Sequence, residues 1–309
     1  MTLFKHLAAI AIAFGLVGVN GFASAADRDG TVEVDGQTRS FVIHVPVGQP
    51  PSGGFPLILA FHGGGMQGAG MARVTGLDTV ADKRRFVVVY PDGIDKHWND
   101  GRLTIRNPQN DVGFVSALLD QLQRAEPVDA HRVYATGISN GALFVQRLGC
   151  ELSPRIDAIA PVAGSLPVDL VKRCGPARKV AALQISGTAD PIMPYDGGRV
   201  ESFGGRGEGG AVESVVGTTA LWARLNGCQG AGQREPLPPA VVSDPTRVVR
   251  TRFAACPANG VVTLLTVVGG GHYWPGGAQP YRPRITGQPT QQIDASTLIA
   301  DFFLSLPPG

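Results

Sequence analysis

Gly137-Ile138-Ser139-Asn140-Gly141 has the G-x-S-x-G pattern and lies where an apolar run ends and a helical pattern begins. A serine hydroxyl presented on such a turn suits nucleophilic attack on an acyl carbon. Side chains at the two flanking positions would collide with the neighbouring strand and helix. Glycine there lets Ser139 take a strained backbone and project its hydroxyl. The N–H groups that open the following helix favour negative charge beside it. A serine hydroxyl is a poor nucleophile near neutral pH, so it needs a base, and the base needs an orienting acid.

His272 is the expected base. It sits in Gly269-Gly270-Gly271-His272-Tyr273-Trp274-Pro275, just beyond the apolar run Val261–Val268. Loops at strand ends are where an open α/β sheet places functional groups. Asp190, in Gly187-Thr188-Ala189-Asp190-Pro191 after the run Val180–Ser186, is the expected acid, with Asp196 as a rival. The chain order Ser139, Asp190, His272 is the order of an α/β-hydrolase, not of chymotrypsin or subtilisin. Acyl transfer also needs donors for the developing oxyanion. The backbone N–H of Asn140 is one, and Gly64 in His62-Gly63-Gly64-Gly65 offers the second. That glycine run has neither the Lys-Ser/Thr of a phosphate-binding Walker loop nor G-x-G-x-x-G spacing. His62 is expected to hold its loop, and His44, His97 and His131 to be surface or packing residues. No H-x-H, H-x-x-x-H or C-x-x-C pair is present, so neither a metal nor another cofactor is expected.

The elements that must position these groups read as α/β. Thr31–Val34 and Ser40–Val45 flank Asp35-Gly36 as an N-terminal β-hairpin. Pro56–Phe61, Phe86–Tyr90, Arg132–Thr136, Ile156–Val162, Val180–Ser186 and Val261–Val268 are near-continuous apolar runs. Such runs suit strands covered on both faces of a largely parallel sheet. Between and after them the spacing predicts helices over Gly70–Lys83, Asp111–Arg124, Gly141–Leu148, Val212–Leu225 and Asp294–Leu304. This alternation implies helices on both faces of the sheet. The Gly-rich Phe203–Gly210 segment reads as a loop.

Composition narrows the function classes. Lys and Arg number 27 against 25 Asp and Glu, so the chain lacks the basic field that nucleic-acid binding needs. Its 43% hydrophobic content suffices for a sizeable core, and 17% charge is too little for a disordered chain. Lys5 and His6, then the apolar Leu7–Val19, then Ala23-Ser24-Ala25, read as a signal peptide cleaved after Ala25. The apolar run falls short of the ~20 residues a bilayer span requires. The expectation is a leader, residues 1–25, followed by a single catalytic domain, 26–309, secreted or periplasmic and with no membrane partner. Oligomeric state is not legible. Cys150, Cys174, Cys228 and Cys256 are expected to form disulfides in that compartment. Three pairings are possible, and proximity in sequence favours Cys150–Cys174 with Cys228–Cys256; four free thiols are the alternative.

Taken together the motifs resemble a family of secreted esterases, the polyhydroxybutyrate depolymerases and feruloyl esterases. The resemblance rests on Ala60-Phe61-His62-Gly63-Gly64, Tyr90-Pro91-Asp92-Gly93, Trp98-Asn99, Asp111-Val112-Gly113-Phe114, Gly137–Gly141, Ala160–Gly164, Gly187–Pro191 and Gly271–Gly276. It implies an α/β-hydrolase fold, a triad of Ser139, Asp190 and His272, and a Cys150–Cys174 bridge. Asn110 departs from it, standing where members often carry a second acidic residue before Asp111. The resemblance implies a serine carboxylesterase working through an acyl-enzyme. Because the chain ends soon after its last helix, a soluble ester with an aromatic, feruloyl-type acyl group is expected. Trp98 and Trp274 are its expected substrate-binding residues, since aromatic walls suit a planar acyl group. The alternatives are a depolymerase of polyhydroxyalkanoate or its oligomers, a peptidase, and a non-catalytic binding protein on the same scaffold.

Overall fold

A computed structural model describes residues 26–201, 207–278 and 282–309. The expected leader, residues 1–25, lies outside the described residues, as does part of the Phe203–Gly210 segment. In chain order the elements begin with β1 (Ala26–Val34), β2 (Gln37–Val45), β3 (Phe55–Phe61), α1 (Gly68–Thr75), α2 (Leu77–Arg84) and β4 (Val87–Pro91). Then come α3 (Asp111–Ala125), β5 (Val128–Ile138), α4 (Asn140–Glu151), β6 (Ala158–Val162), α5 (Val168–Val171) and β7 (Ala181–Gly187). The short β8 (Gly198–Arg199) and β9 (Ala211–Val212) precede α6 (Val215–Leu225), β10 (Gly232–Pro236), β11 (Arg247–Phe253) and β12 (Val262–Val268). The chain closes with α7 (Pro283–Thr286) and α8 (Ala295–Leu304).

The main sheet runs β1-β2-β4-β3-β5-β6-β7-β12-β11-β10. Its six central strands, β4 to β12, pair in parallel, and each flank is antiparallel. Side chains of β3, β4, β6 and β7 are buried throughout, as their apolar runs require. Alternate residues of each strand feed two cores. On one face Leu57, Leu59 and Phe61 meet Phe114 and Leu118 of α3, Phe144 and Leu148 of α4, and Trp222 of α6. On the other, Ile58 and Ala60 meet Met71 of α1, Ala81 of α2, and Ile299 and Phe303 of α8. Helices therefore cover both faces.

Two elements differ from the sequence reading for local reasons. Gly70–Lys83 is two helices, because Gly76 adopts φ 60° and its N–H caps α1 by donating to Ala72 O. The helix expected from Val212 begins at Val215, since Ser214 accepts the Gly217 N–H and Ala211–Val212 is spent on β9. The strands β10 and β11 had no apolar signal. Near the sheet edge, β11 keeps only Val248 buried and is otherwise built of exposed or half-buried residues such as Arg250 and Arg252.

His62, directly after β3, is completely buried. The Gly93 N–H donates to its Nε2 at 3.0 Å, so Nδ1 carries the proton and donates to Gly63 O at 2.9 Å. The ring thus links the loop after β3 to the loop after β4 while neutral. Burial holds its pKa down to about 4 from an ordinary 6.5. The cysteines form Cys150–Cys174, joining the end of α4 to the segment after α5, and Cys228–Cys256.

Removing the first bridge by Cys150→Ala and Cys174→Ala reopens a loop of 24 residues. Denaturant unfolding should then show a loss of roughly 3 kcal/mol on chain-entropy grounds. His62 sets an acid limit. The unfolded chain takes up its proton near pH 6.5 and the folded chain only near 4, so stability should fall as pH drops between those values. The full contribution is about 3 kcal/mol. His62→Gln, which can keep both hydrogen bonds without titrating, should flatten the stability–pH curve in that window.

Candidate active site

Ser139 stands between β5 and α4 with φ 59° and ψ −125°, a conformation a non-glycine residue holds only when its surroundings enforce it. Its N–H donates to Val162 O at 3.1 Å and its carbonyl accepts from Leu143 N–H at 3.0 Å, so the turn is tied into β6 and α4. The flanking glycines are explained by contact. A Cβ at Gly137 would lie 2.7 Å from Gly141 O and 2.8 Å from Phe61 O. One at Gly141 would press on Phe61 O and lie 2.5 Å from His62 O. The turn is wedged against the end of β3, which brings the Gly63-Gly64 loop alongside Ser139.

Asp190 and His272 come together across two neighbouring strands, β7 and β12. Asp190 Oδ2 is 2.7 Å from His272 Nδ1, and the two side chains are 2% and 9% exposed. The other carboxylate oxygen accepts the N–H groups of Ile192 and Met193 at 2.8 and 2.9 Å. That double anchor fixes which oxygen faces the imidazole. Asp196, the rival acid, is exposed and has no bond to His272. The histidine loop is held from the far side: His272 N–H donates to Thr286 O at 2.6 Å, and Gly271 N–H to Gln288 O at 2.8 Å. With Nδ1 engaged by the carboxylate, Nε2 is the nitrogen left to act as a base.

Ser139 and His272 line one pocket with Gly63 and Gly64, and its volume is about 90 Å³. Its apolar walls include Met66, Val74, Ile138, Ile192 and Trp274. In the Gly63–Met66 turn, Gly65 N–H donates to Lys96 O and Met66 N–H to Gly63 O. Neither bond uses the Gly64 N–H. Asn140, the first residue of α4, contributes the N–H of a helix N-terminus. Gly64 shares the pocket with Ser139, and Asn140 follows it directly in the chain.

The two tryptophans separate. Trp274 lines the pocket, its Nε1 donating to Ser296 Oγ at 2.9 Å. Trp98 does not line it, which corrects the sequence reading. Its ring is completely buried, stacked on Phe144 at 5.1 Å and edge-on to Phe61 at 5.2 Å, with Nε1 donating to His62 O. Trp98 is a strut beneath the loop that carries Gly64. Of the other histidines, His44 is buried between Asp27 and Asp82, His131 is exposed, and His97 packs beside Gly64. Asn110 caps α3 by accepting the Gly113 N–H. Asp100 and Arg102, which the sequence reading passed over, form a buried pair that reaches Asn140. Nothing in their local pattern marks them, because an Asp and an Arg in a polar loop ordinarily face water.

No family model matches the chain. It is 33% identical over 291 residues, 91% of its length and 84% of the relative's, to the protein named "Putative esterase NocK" of Nocardia uniformis subsp. tsuyamanensis. It is 27% identical to feruloyl esterase C of Emericella nidulans, covering 74% of each chain. It is 26% identical to feruloyl esterase B of Piromyces equi, of which it spans 42%. Among solved structures, an acetyl xylan esterase from Aspergillus awamori superposes with a TM-score of 0.59 over 80% of this chain and 94% of that one. At 12% identity that likeness speaks for the fold alone. With the first of these kinships running along nearly the whole chain, and the strand order and serine turn described above, the chain belongs to the esterases of the α/β-hydrolase type and is a carboxylic-ester hydrolase.

Proposed function

We propose that this esterase works through a covalent acyl-enzyme formed on Ser139, with His272 as general base and Asp190 as its orienting acid. The observation that carries this is the 2.7 Å Asp190–His272 bond at the edge of the pocket that holds Ser139. Ser139 Oγ attacks the ester carbonyl while His272 Nε2 takes its proton. The carbonyl oxygen gathers negative charge and is met by the N–H groups of Gly64 and Asn140. Collapse breaks the bond to the alcohol, which leaves with the proton from His272. Water then attacks the acyl-enzyme by the same route, giving the free acid and Ser139. The Asp190 carboxylate keeps the proton on Nδ1, so that Nε2 presents its lone pair.

The walls from Met66, Val74, Ile138, Ile192 and Trp274 suit an apolar acyl group. The similarity to proteins named feruloyl esterase favours an aromatic one in a soluble ester. In this reading residues 26–309 act as a single catalytic domain, residues 1–25 are a leader removed on export, and the partner is a small or oligomeric ester. The disulfides are in keeping with an oxidising compartment. Among the described residues no helix is long and apolar enough to cross a membrane.

Ser139→Ala and His272→Ala should each lower turnover by about 10³-fold or more with the fold kept, and the double variant should be scarcely worse, because the groups act as a unit. Asp190→Asn should lose on the order of 10⁴ through the wrong imidazole tautomer. Fluorophosphonate labelling followed by mass spectrometry should place the adduct on Ser139. An active Ser139→Ala enzyme would end this reading. Substrate class is checked by side-by-side hydrolysis of esters of one alcohol: kcat/KM should be higher for methyl ferulate than for methyl esters of short aliphatic acids, and lowest for polyhydroxybutyrate. Faster release of hydroxybutyrate would reverse the choice of substrate and leave the triad intact.

A further inference from the structure

A buried ion pair lies next to the serine turn, and the acyl-transfer scheme does not use it. Asp100 is completely buried and Arg102 is 4% exposed. Arg102 Nε is 3.0 and 3.1 Å from the two Asp100 oxygens, and Nη2 donates to Oδ2 at 2.7 Å. Asp100 Oδ2 also accepts from Asn140 Nδ2 at 2.7 Å. The rest of the Asn140 amide is consumed by one residue: Nδ2 donates to Trp98 O at 3.0 Å, and Oδ1 accepts from Trp98 N–H at 2.8 Å. Arg102 Nη1 is satisfied by Gly209 O.

The same loop touches the second oxyanion donor. Gly65 N–H donates to Lys96 O, and Asp95 and Lys96 reach that position with φ of 53° and 59°. A Cβ on Gly64 would lie 3.1 Å from His97 Nδ1 and 3.8 Å from Asn140 Cβ. Residues 95–102 therefore brace Gly64 from one end and Asn140 from the other. A buried ion pair is a weak source of net stability, because desolvating both charges offsets their attraction. Its geometric value is greater: a bidentate guanidinium fixes a carboxylate in orientation as well as place.

We propose that Asp100 and Arg102 are positioning residues for the oxyanion donors, holding Asn140 through its side chain so that its backbone N–H is aimed before substrate arrives. This rests on the reading of Ser139 as nucleophile. Aimed donors act on charge that develops only in the transition state, so the pair bears on kcat more than on KM.

Asn140→Ala cuts the link while leaving the ion pair and the backbone N–H in place, and Asp100→Asn removes the charge itself. Each should lower kcat for a p-nitrophenyl ester by about 10- to 100-fold with KM within about twofold. A trifluoromethyl ketone, which becomes an oxyanion on Ser139, should lose affinity by a similar factor. The Asn140→Ala/Asp100→Asn double variant should be no slower than the worse single one. If Asp100→Asn does not fold, Asn140→Ala decides alone. A folded Asn140→Ala enzyme with wild-type kcat and ketone affinity, changed only in melting temperature, would overturn the proposal. Wild-type protein that neither cleaves esters nor labels with fluorophosphonate would remove the underlying reading instead.

Discussion

At the turn between β5 and α4, the carbonyls that close β3 press against the backbone of Gly137 and Gly141, leaving no room for a side-chain carbon at either position. That contact is possible because β3 and β5 are adjacent parallel strands, with Phe61 opposite Gly137 in register. It holds Ser139 in its positive-φ conformation, since relaxing the serine would drive its flanks into the neighbouring strand. It also sets what stands beside the serine. The chain leaving β3 turns past it on Gly63 and Gly64, which line the pocket together with Ser139. Ser139 and the Gly63-Gly64 loop are thus placed by one packing constraint.

The other half of the site depends on strand order. Asp190 and His272 are 82 residues apart, yet β7 and β12 are parallel neighbours, so the loops at their ends leave the sheet side by side. The intervening chain makes β10 and β11, which extend the sheet beyond β12, and α6, which returns to its face. The site therefore sits on the carboxyl ends of adjacent parallel strands, where an open α/β sheet leaves room for a ligand.

Between β4 and β5 the chain has no strand to stiffen it, and buried charge takes that role. Arg39 donates to Asp111 at 2.7 Å while its guanidinium lies 4.0 Å above the Phe114 ring. Asp111 in turn accepts the Asn99 N–H at 2.7 Å. The Asp100–Arg102 pair follows immediately. Asp111 gives one oxygen to Arg39 and the other to the Asn99 amide, while Asp100 gives both oxygens to Arg102 and one of them also to the Asn140 amide, so the loop has little freedom to drift. Unpairing either charge would leave its partner buried and unsolvated, which makes the arrangement intolerant of partial loosening. The Trp98 ring packs among Phe61, Phe114 and Phe144.

The central strands, the helices after them, the tight turn at Ser139 and the strand-end loops that carry Asp190 and His272 were legible because their signals are local. Short apolar runs set between helical patterns suit covered strands, and glycines at both flanks of a serine report a close approach whatever passes nearby. Even there the boundary at Gly76 was hidden, since one glycine within a helical pattern looks tolerable until its φ is known. Strands β10 and β11 were not legible, because an edge strand can carry Arg250 and Arg252 without loss. Trp98 shows the same limit within the site. An indole after a polar loop suits a ligand pocket or a core equally well, and only the approach of Phe61 and Phe144 from distant elements decided for the core. Asp100 and Arg102 look solvated in sequence, and burial made them otherwise. By itself the sequence determined which residues could do chemistry and which segments form the centre of the sheet. The tertiary structure decided what each side chain faces, because that depends on neighbours contributed by remote parts of the chain.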